Sequence, residues 1–173
     1  MKRKLIIYCF IIAISIVFQS CNHRQHHESN RRIKTANRNI GLNSTGKTII
    51  KMKKQSGVYY VPCKINGSEM EFIFDTGASD ITMSLTEALF LYKQGKLAND
   101  DFIGTQQYQI ANGAIEEGTV VILKTVTIGN RVLYNVQASI VHNMQSPLLL
   151  GQSALSKFGK ISIDYKEETI IFE

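Results

Sequence analysis

The sequence predicts a mostly β domain, and three observations carry that prediction. Helix-period patterns are scarce across the 173 residues. β-branched and aromatic runs recur between Gly and Asn breaks. Three two-residue turn signals, Asn66-Gly67, Asn112-Gly113 and Gly129-Asn130, each fall between two such runs, the spacing of an antiparallel barrel or folded sheet. A chain of this length holds one domain with a real core and is short for two.

Residues 1–20 stand apart from that domain. Met1-Lys2-Arg3-Lys4 is a basic start, and Leu5 to Phe18 is an uncharged apolar run of 14 residues. A bilayer-spanning helix needs about 20, so the run fits a signal peptide. Phe18-Gln19-Ser20-Cys21 places a small residue before a cysteine and resembles the lipobox of bacterial lipoproteins. That resemblance implies a lipidated Cys21 as the new N-terminus; the competing reading is an uncleaved signal anchor. Both export the domain and hold it at a membrane of the bacterial cell envelope, on the periplasmic or outer-surface side. With Cys9 inside the signal and Cys21 lipidated, Cys63 is left without an intrachain partner and reads as a small core residue in an apolar strand.

Residues 21–47 read as a disordered basic tether, polar and without apolar spacing. Residues 22–54 carry nine basic side chains against Glu28, a net +8, whereas residues 55–173 carry eight basic and thirteen acidic, a net −5. The basic character therefore belongs to the tether. It suits a solvated linker that can lean on anionic lipid head groups, and an exported chain seldom meets nucleic acid. His23, His26 and His27 lie in the same polar stretch with no Cys or carboxylate constellation around them, so no metal site is expected.

Gly41-Leu42-Asn43-Ser44-Thr45-Gly46-Lys47-Thr48 matches the letters of a phosphate-binding loop, and Phe72-Ile73-Phe74-Asp75 could pass for its magnesium strand. The mechanism also needs a buried strand before the loop and a helix after it. Neither is legible here, so no nucleotide and no cofactor are expected.

The domain, residues 48–173, then unfolds as hairpins. Val58 to Ile65 and Ser68 to Phe74 are strands around Asn66-Gly67. Ser84-Leu85-Thr86-Glu87 is a capping box that opens a helix through about Gln94, with Leu85, Ala88, Leu89 and Tyr92 on one face and Gly95 at its end. Gly104 to Ile110 pairs with Ala114 to Leu123, and Thr125 to Ile128 with Arg131 to Ile140. Leu148 to Leu150 is a short buried strand, Gln152 to Phe158 a helical piece ended by Gly159, and Ile161 to Tyr165 with Thr169 to Phe172 a last hairpin.

The chemistry centres on Asp75. Phe72-Ile73-Phe74 delivers a carboxylate from an apolar strand onto the tight loop Asp75-Thr76-Gly77-Ala78-Ser79. Gly77 lets backbone N–H groups point at the carboxylate or a bound water, Thr76 adds a bracing hydroxyl, and Ala78 and Ser79 keep the surroundings small. An ordinary turn is the bland alternative for Asp-Thr-Gly. Hydrolysis by carboxylates needs two of them sharing one proton. Asp80, Asp100, Asp101 and Asp164 do not repeat the motif, so the second carboxylate must come from another copy of the chain.

Phe74 to Ser79 and the later Leu148-Leu149-Leu150-Gly151 resemble the two signatures of retropepsin-like (clan AA) aspartic proteases, especially bacterial exported members, over about Val58 to Phe172. The resemblance implies a single-lobe acid-protease barrel with one or two short helices. It implies an aspartic endopeptidase acting on polypeptide as a homodimer. It also implies a packing role for Leu149, Leu150 and Gly151 beside the loop, and a flap at Ile110-Ala111-Asn112-Gly113. Thr76 would cross-brace the two loops of the dimer, and the helical insertion from Ser84 to Phe102 is longer than in viral relatives. The competing reading is a catalytically silent lipoprotein of the same fold that binds peptides or an envelope partner.

Overall fold

The computed structural model describes residues 46–110 and 112–173. The expectations placed on residues 1–45, including the signal peptide, lipidated Cys21 and most of the tether, lie outside the described residues, as does Ala111. The described chain runs β1 (Thr48–Lys51), β2 (Lys53–Gln55), β3 (Val58–Ile65), β4 (Ser68–Phe74), β5 (Ile81–Ser84), α1 (Leu85–Lys93) and a 3-10 turn at Asn99–Asp101. It continues through β6 (Phe102–Gln109), β7 (Ile115–Ile128), β8 (Arg131–Val141), β9 (Leu149–Leu150) and α2 (Gln152–Leu155). A second 3-10 turn at Ser156–Phe158 leads to β10 (Ile161–Asp164) and β11 (Thr169–Phe172).

An eight-stranded sheet runs β2-β3-β4-β9-β5-β8-β7-β6, and β3 also pairs with the far part of β7 through Lys64↔Thr127 and Ile65↔Val126. That extra pairing curls the sheet into a barrel. A three-stranded sheet, β1-β11-β10, joins the two ends of the domain. The expectation of an antiparallel barrel holds for the hairpins but not throughout: β4 pairs with β9 in parallel, and so does β5 with β8. Local turn residues encode only hairpins, so these long-range pairings leave no mark in the turn signals.

Local chemistry explains the elements. Asn66 and Gly67 both take positive φ, 48° and 82°, as a tight two-residue hairpin demands. Ser84 caps α1 by accepting from the Thr86 and Glu87 N–H groups, and Glu87 hydrogen-bonds the Ser84 hydroxyl. The residues of α1 that reach the core are Ala88 and Leu91, whereas Leu89 and Tyr92 are exposed. Half-buried Leu85 packs against the core as well, and Leu85, Ala88, Leu89 and Tyr92 share one face that borders a shallow surface groove with Phe102 and Ile140. β7 is one strand of 14 residues rather than two: the pairing with β8 lapses at Lys124, which points outward toward Asp101 at 3.4 Å opposite positive-φ Asn135, and resumes in the same register at Thr125↔Tyr134.

The core is continuous, from Met52, Val61 and Phe72 through Leu123, Val126 and Leu133 to Phe158 and Phe172. Phe158 and Phe172 pack with ring centroids 5.2 Å apart. Each fully buried side chain of this size contributes about 1.5–3 kcal/mol relative to exposure. Cys63 is buried on β3, and burial pushes its thiol far above the ordinary value, which makes it a packing residue rather than a nucleophile.

Candidate active site

The Asp75 loop exists because two strands that follow each other in sequence do not touch. β4 and β5 are separated by β9, which pairs in parallel with β4 (Ile73↔Leu149, Phe74↔Leu150) and antiparallel with β5 at Thr82↔Leu149. Residues 75–80 must therefore cross over the end of β9. Backbone bonds hold the crossing: Ile73 N–H donates to Leu148 O at 2.8 Å and Asp75 N–H to Leu150 O at 3.3 Å. On the far side, Gln152 N–H donates to Ala78 O at 2.9 Å and Ser153 N–H to Ser79 O at 2.8 Å. These N–H groups open α2, where a helix has no internal acceptor to offer them. The Gln152 side chain adds a bond from Nε2 to Thr76 O at 3.1 Å.

Gly151 makes that clasp possible. A Cβ there would stand 2.2 Å from Asp80 O and 2.7 Å from Ala78 O, inside any tolerable contact. The structure thus brings Leu149, Leu150 and Gly151 against the Asp75 loop. Leu150 and Gly151 are buried behind it, and half-buried Leu149 faces the cleft.

Asp75 is half-buried, and its Oδ1 accepts the Gly77 N–H at 2.8 Å. That bond fixes the carboxylate within its own turn. Asp75, Gly77, Ala78 and Ser79 border a cleft of about 660 Å³, while exposed Thr76 stands outside its lining. Among the described residues, none of the salt bridges involves Asp75.

The β6–β7 hairpin forms one wall. Ile110 lines the cleft; Asn112 and Gly113 make the tip beyond it. Asn112 Oδ1 accepts from Ala114 N–H at 2.9 Å, Gly113 N–H donates to Ile110 O at 2.8 Å, and Gly113 takes a φ of 87°. Further in, Tyr108 lies over Gly118, where a Cβ would meet its hydroxyl at 1.5 Å. Burial, then the carboxylates of Glu116 and Glu117, push the Tyr108 phenol above its ordinary value, so it remains a donor at neutral pH.

Residues 61–157 match the family described as "gag-polyprotein putative aspartyl protease". The chain belongs to the retropepsin-like aspartic protease family. It is 31% identical over 117 residues to Uncharacterized protein RP867 of Rickettsia prowazekii (strain Madrid E), a match covering 67% of this chain and 48% of that protein. The chain thus spans about half the length of that curated relative. It is also similar to the crystal structure of a retropepsin-like aspartic protease from Rickettsia conorii. The TM-score is 0.55 at 28% identity, with 75% of this chain and 100% of that one covered.

Within this retropepsin-like fold, the sequence motifs did not reveal the whole cleft. Thr82, Gln106, Tyr108, Ser139, Val141, Ser146 and Pro147 line it, and so does Asp80, which does not repeat the Asp-Thr-Gly motif. Gln106 and Tyr108 alternate inward along β6, and Ser139 and Val141 share a face of β8. The two-residue period was present in the sequence, but which face it addressed depended on the crossing of β4, β9 and β5.

Proposed function

We propose that the chain is an aspartic endopeptidase in which Asp75 supplies one carboxylate of a catalytic dyad and a second copy supplies the other. The observation that carries the reading is the Asp75 loop itself, clasped by β9 and α2 and opening into a cleft under a hairpin. Family membership supports it. The chain has one Asp-Thr-Gly, and a lone carboxyl cannot at the same moment be ionised to take the water's proton and neutral to polarise the scissile carbonyl.

In the dyad, two carboxyls about 3 Å apart share one proton because both cannot ionise together. The ionised one takes a proton from water, and the neutral one polarises the scissile carbonyl. The pair then titrates as a unit. Thr76, outside the cleft lining, is suited to bracing the partner's loop. The hairpin tip at Ile110 to Gly113 is suited to closing over a peptide and excluding water. The reaction calls for no metal and no other cofactor.

The same reading places the domain in the bacterial cell envelope, carried by a lipid on Cys21. Mass spectrometry of the mature N-terminus tests that part: a lipidated Cys21 start supports it, and an unmodified chain beginning at Met1 overturns it. Catalysis is tested with the full chain on a peptide library beside Asp75→Asn. The expected result is cleavage that the substitution abolishes. Equal cleavage by the two proteins rejects the assignment, and binding without cleavage by either marks a silent peptide-binding protein.

A further inference from the structure

We infer that the cleft holds a cation-selective subsite at Asp80, so that a peptide is taken best when it places a Lys or Arg side chain there. The inference rests on reading the cleft as a peptide site and names the class of peptide it prefers. Asp80 ends the loop that Asp75 begins, and both line the same cleft. Asp80 is half-buried, and its side-chain partner among the described residues is neutral: Oδ2 accepts from Gln106 Nε2 at 3.2 Å. The same nitrogen lies 3.4 Å from the hydroxyl of buried Ser139, so the amide is held between β6 and β8.

An amide satisfies a lone pair but does not cancel a charge. No Lys, Arg or His is among the described residues that line the cleft, and none of their salt bridges involves Asp75 or Asp80. The uncompensated Asp80 carboxylate and the single negative charge of the Asp75 dyad therefore address one concavity whose walls exclude part of the solvent. Such a site concentrates the field of its charges and draws cations. An ammonium or guanidinium would form a charge-assisted bond with Asp80. Leu149 and Val141 offer apolar surface for the methylene stem of a long basic side chain. An acidic side chain meets repulsion, and the Gln106 amide nitrogen is already committed to Asp80 and Ser139.

The test uses the full chain and three peptides that differ at one position near the scissile bond, bearing Lys, norleucine or Glu. Wild type is expected to cleave the Lys peptide with a kcat/KM about tenfold above the norleucine peptide, equivalent to about 1.4 kcal/mol, with the Glu peptide lowest. In Asp80→Asn the Lys-to-norleucine ratio should fall to about one, and added salt should shrink it in wild type. The same peptides are titrated by fluorescence anisotropy against Asp75→Asn, where the same order of affinities is expected. Equal handling of Lys and norleucine by wild type overturns the subsite, as does a preference that survives Asp80→Asn. Cleavage without the preference rejects the subsite and leaves the protease reading intact. Asp80-dependent binding of the Lys peptide without cleavage does the reverse, and neither binding nor cleavage overturns both.

Discussion

At Gly151 a methyl group has nowhere to go, since the obstructing atoms are the carbonyl oxygens of Ala78 and Asp80 rather than movable side-chain ends. Gly151→Ala must displace the Asp75 loop or part β9 from it. The expected cost is about 1–3 kcal/mol, typical of overpacking, read as a lower urea midpoint with unchanged slope. An unchanged midpoint would mean that the clasp is looser than its distances. The Leu-Leu-Gly run could be linked to Asp-Thr-Gly from sequence only through family resemblance. The reason for the glycine depends on a loop some seventy residues earlier in the chain, and no local pattern encodes that approach. Tyr108 gives a second test at this scale. Its folded pKa lies above the unfolded one, so the associated stability is present below the ordinary tyrosine range and lost as pH rises through it. Subtracting the alkaline absorbance titration of Tyr108→Phe from that of wild type should isolate a phenol that ionises after a free tyrosine would. A difference curve at the ordinary value would contradict its burial.

Elements were legible where their signals were local. Asn66-Gly67 set one hairpin, and the predicted bounds of β3 and β4 match the observed ones. Ser84 and Glu87 marked the start of α1. Leu85, Ala88, Leu89 and Tyr92 do share one face, but spacing alone does not say which neighbour an apolar stripe meets: that face borders a surface groove, and Leu91 reaches the core beside it. Ser84→Ala removes the acceptor of two N–H groups and should cost about 0.5–2 kcal/mol in global stability. A denaturant melt in which the substitution changes nothing would show that α1 draws its stability from packing alone.

At the scale of the whole molecule, Arg131 ties the two ends of the domain together. It is 2% exposed; Nε donates to Thr48 Oγ1 at 3.1 Å, Nη1 to Phe158 O at 3.0 Å and Nη2 to Phe172 O at 3.1 Å. Nη2 also donates to Gly46 O. The guanidinium thus serves the entry to β1, the end of β11 and the second 3-10 turn. Arg131→Met leaves buried carbonyls without donors, at about 1–3 kcal/mol each, and hydrogen exchange should speed up first in β1 and β11. Protection there equal to that of wild type would reject this role. From the sequence alone Arg131 read as a strand residue after a turn, because its acceptors are backbone atoms far along the chain.

The proposed second carboxylate belongs to the same scale, since it would set a requirement on assembly. Mixing wild type with Asp75→Asn tests it most directly. If each active unit needs Asp75 from two copies, random pairing at equal amounts should lower activity per wild-type chain to about half, and further as the variant is added in excess. Activity per wild-type chain that stays constant at every ratio would contradict the shared dyad and leave Asp75 to act, if it acts, within a single chain.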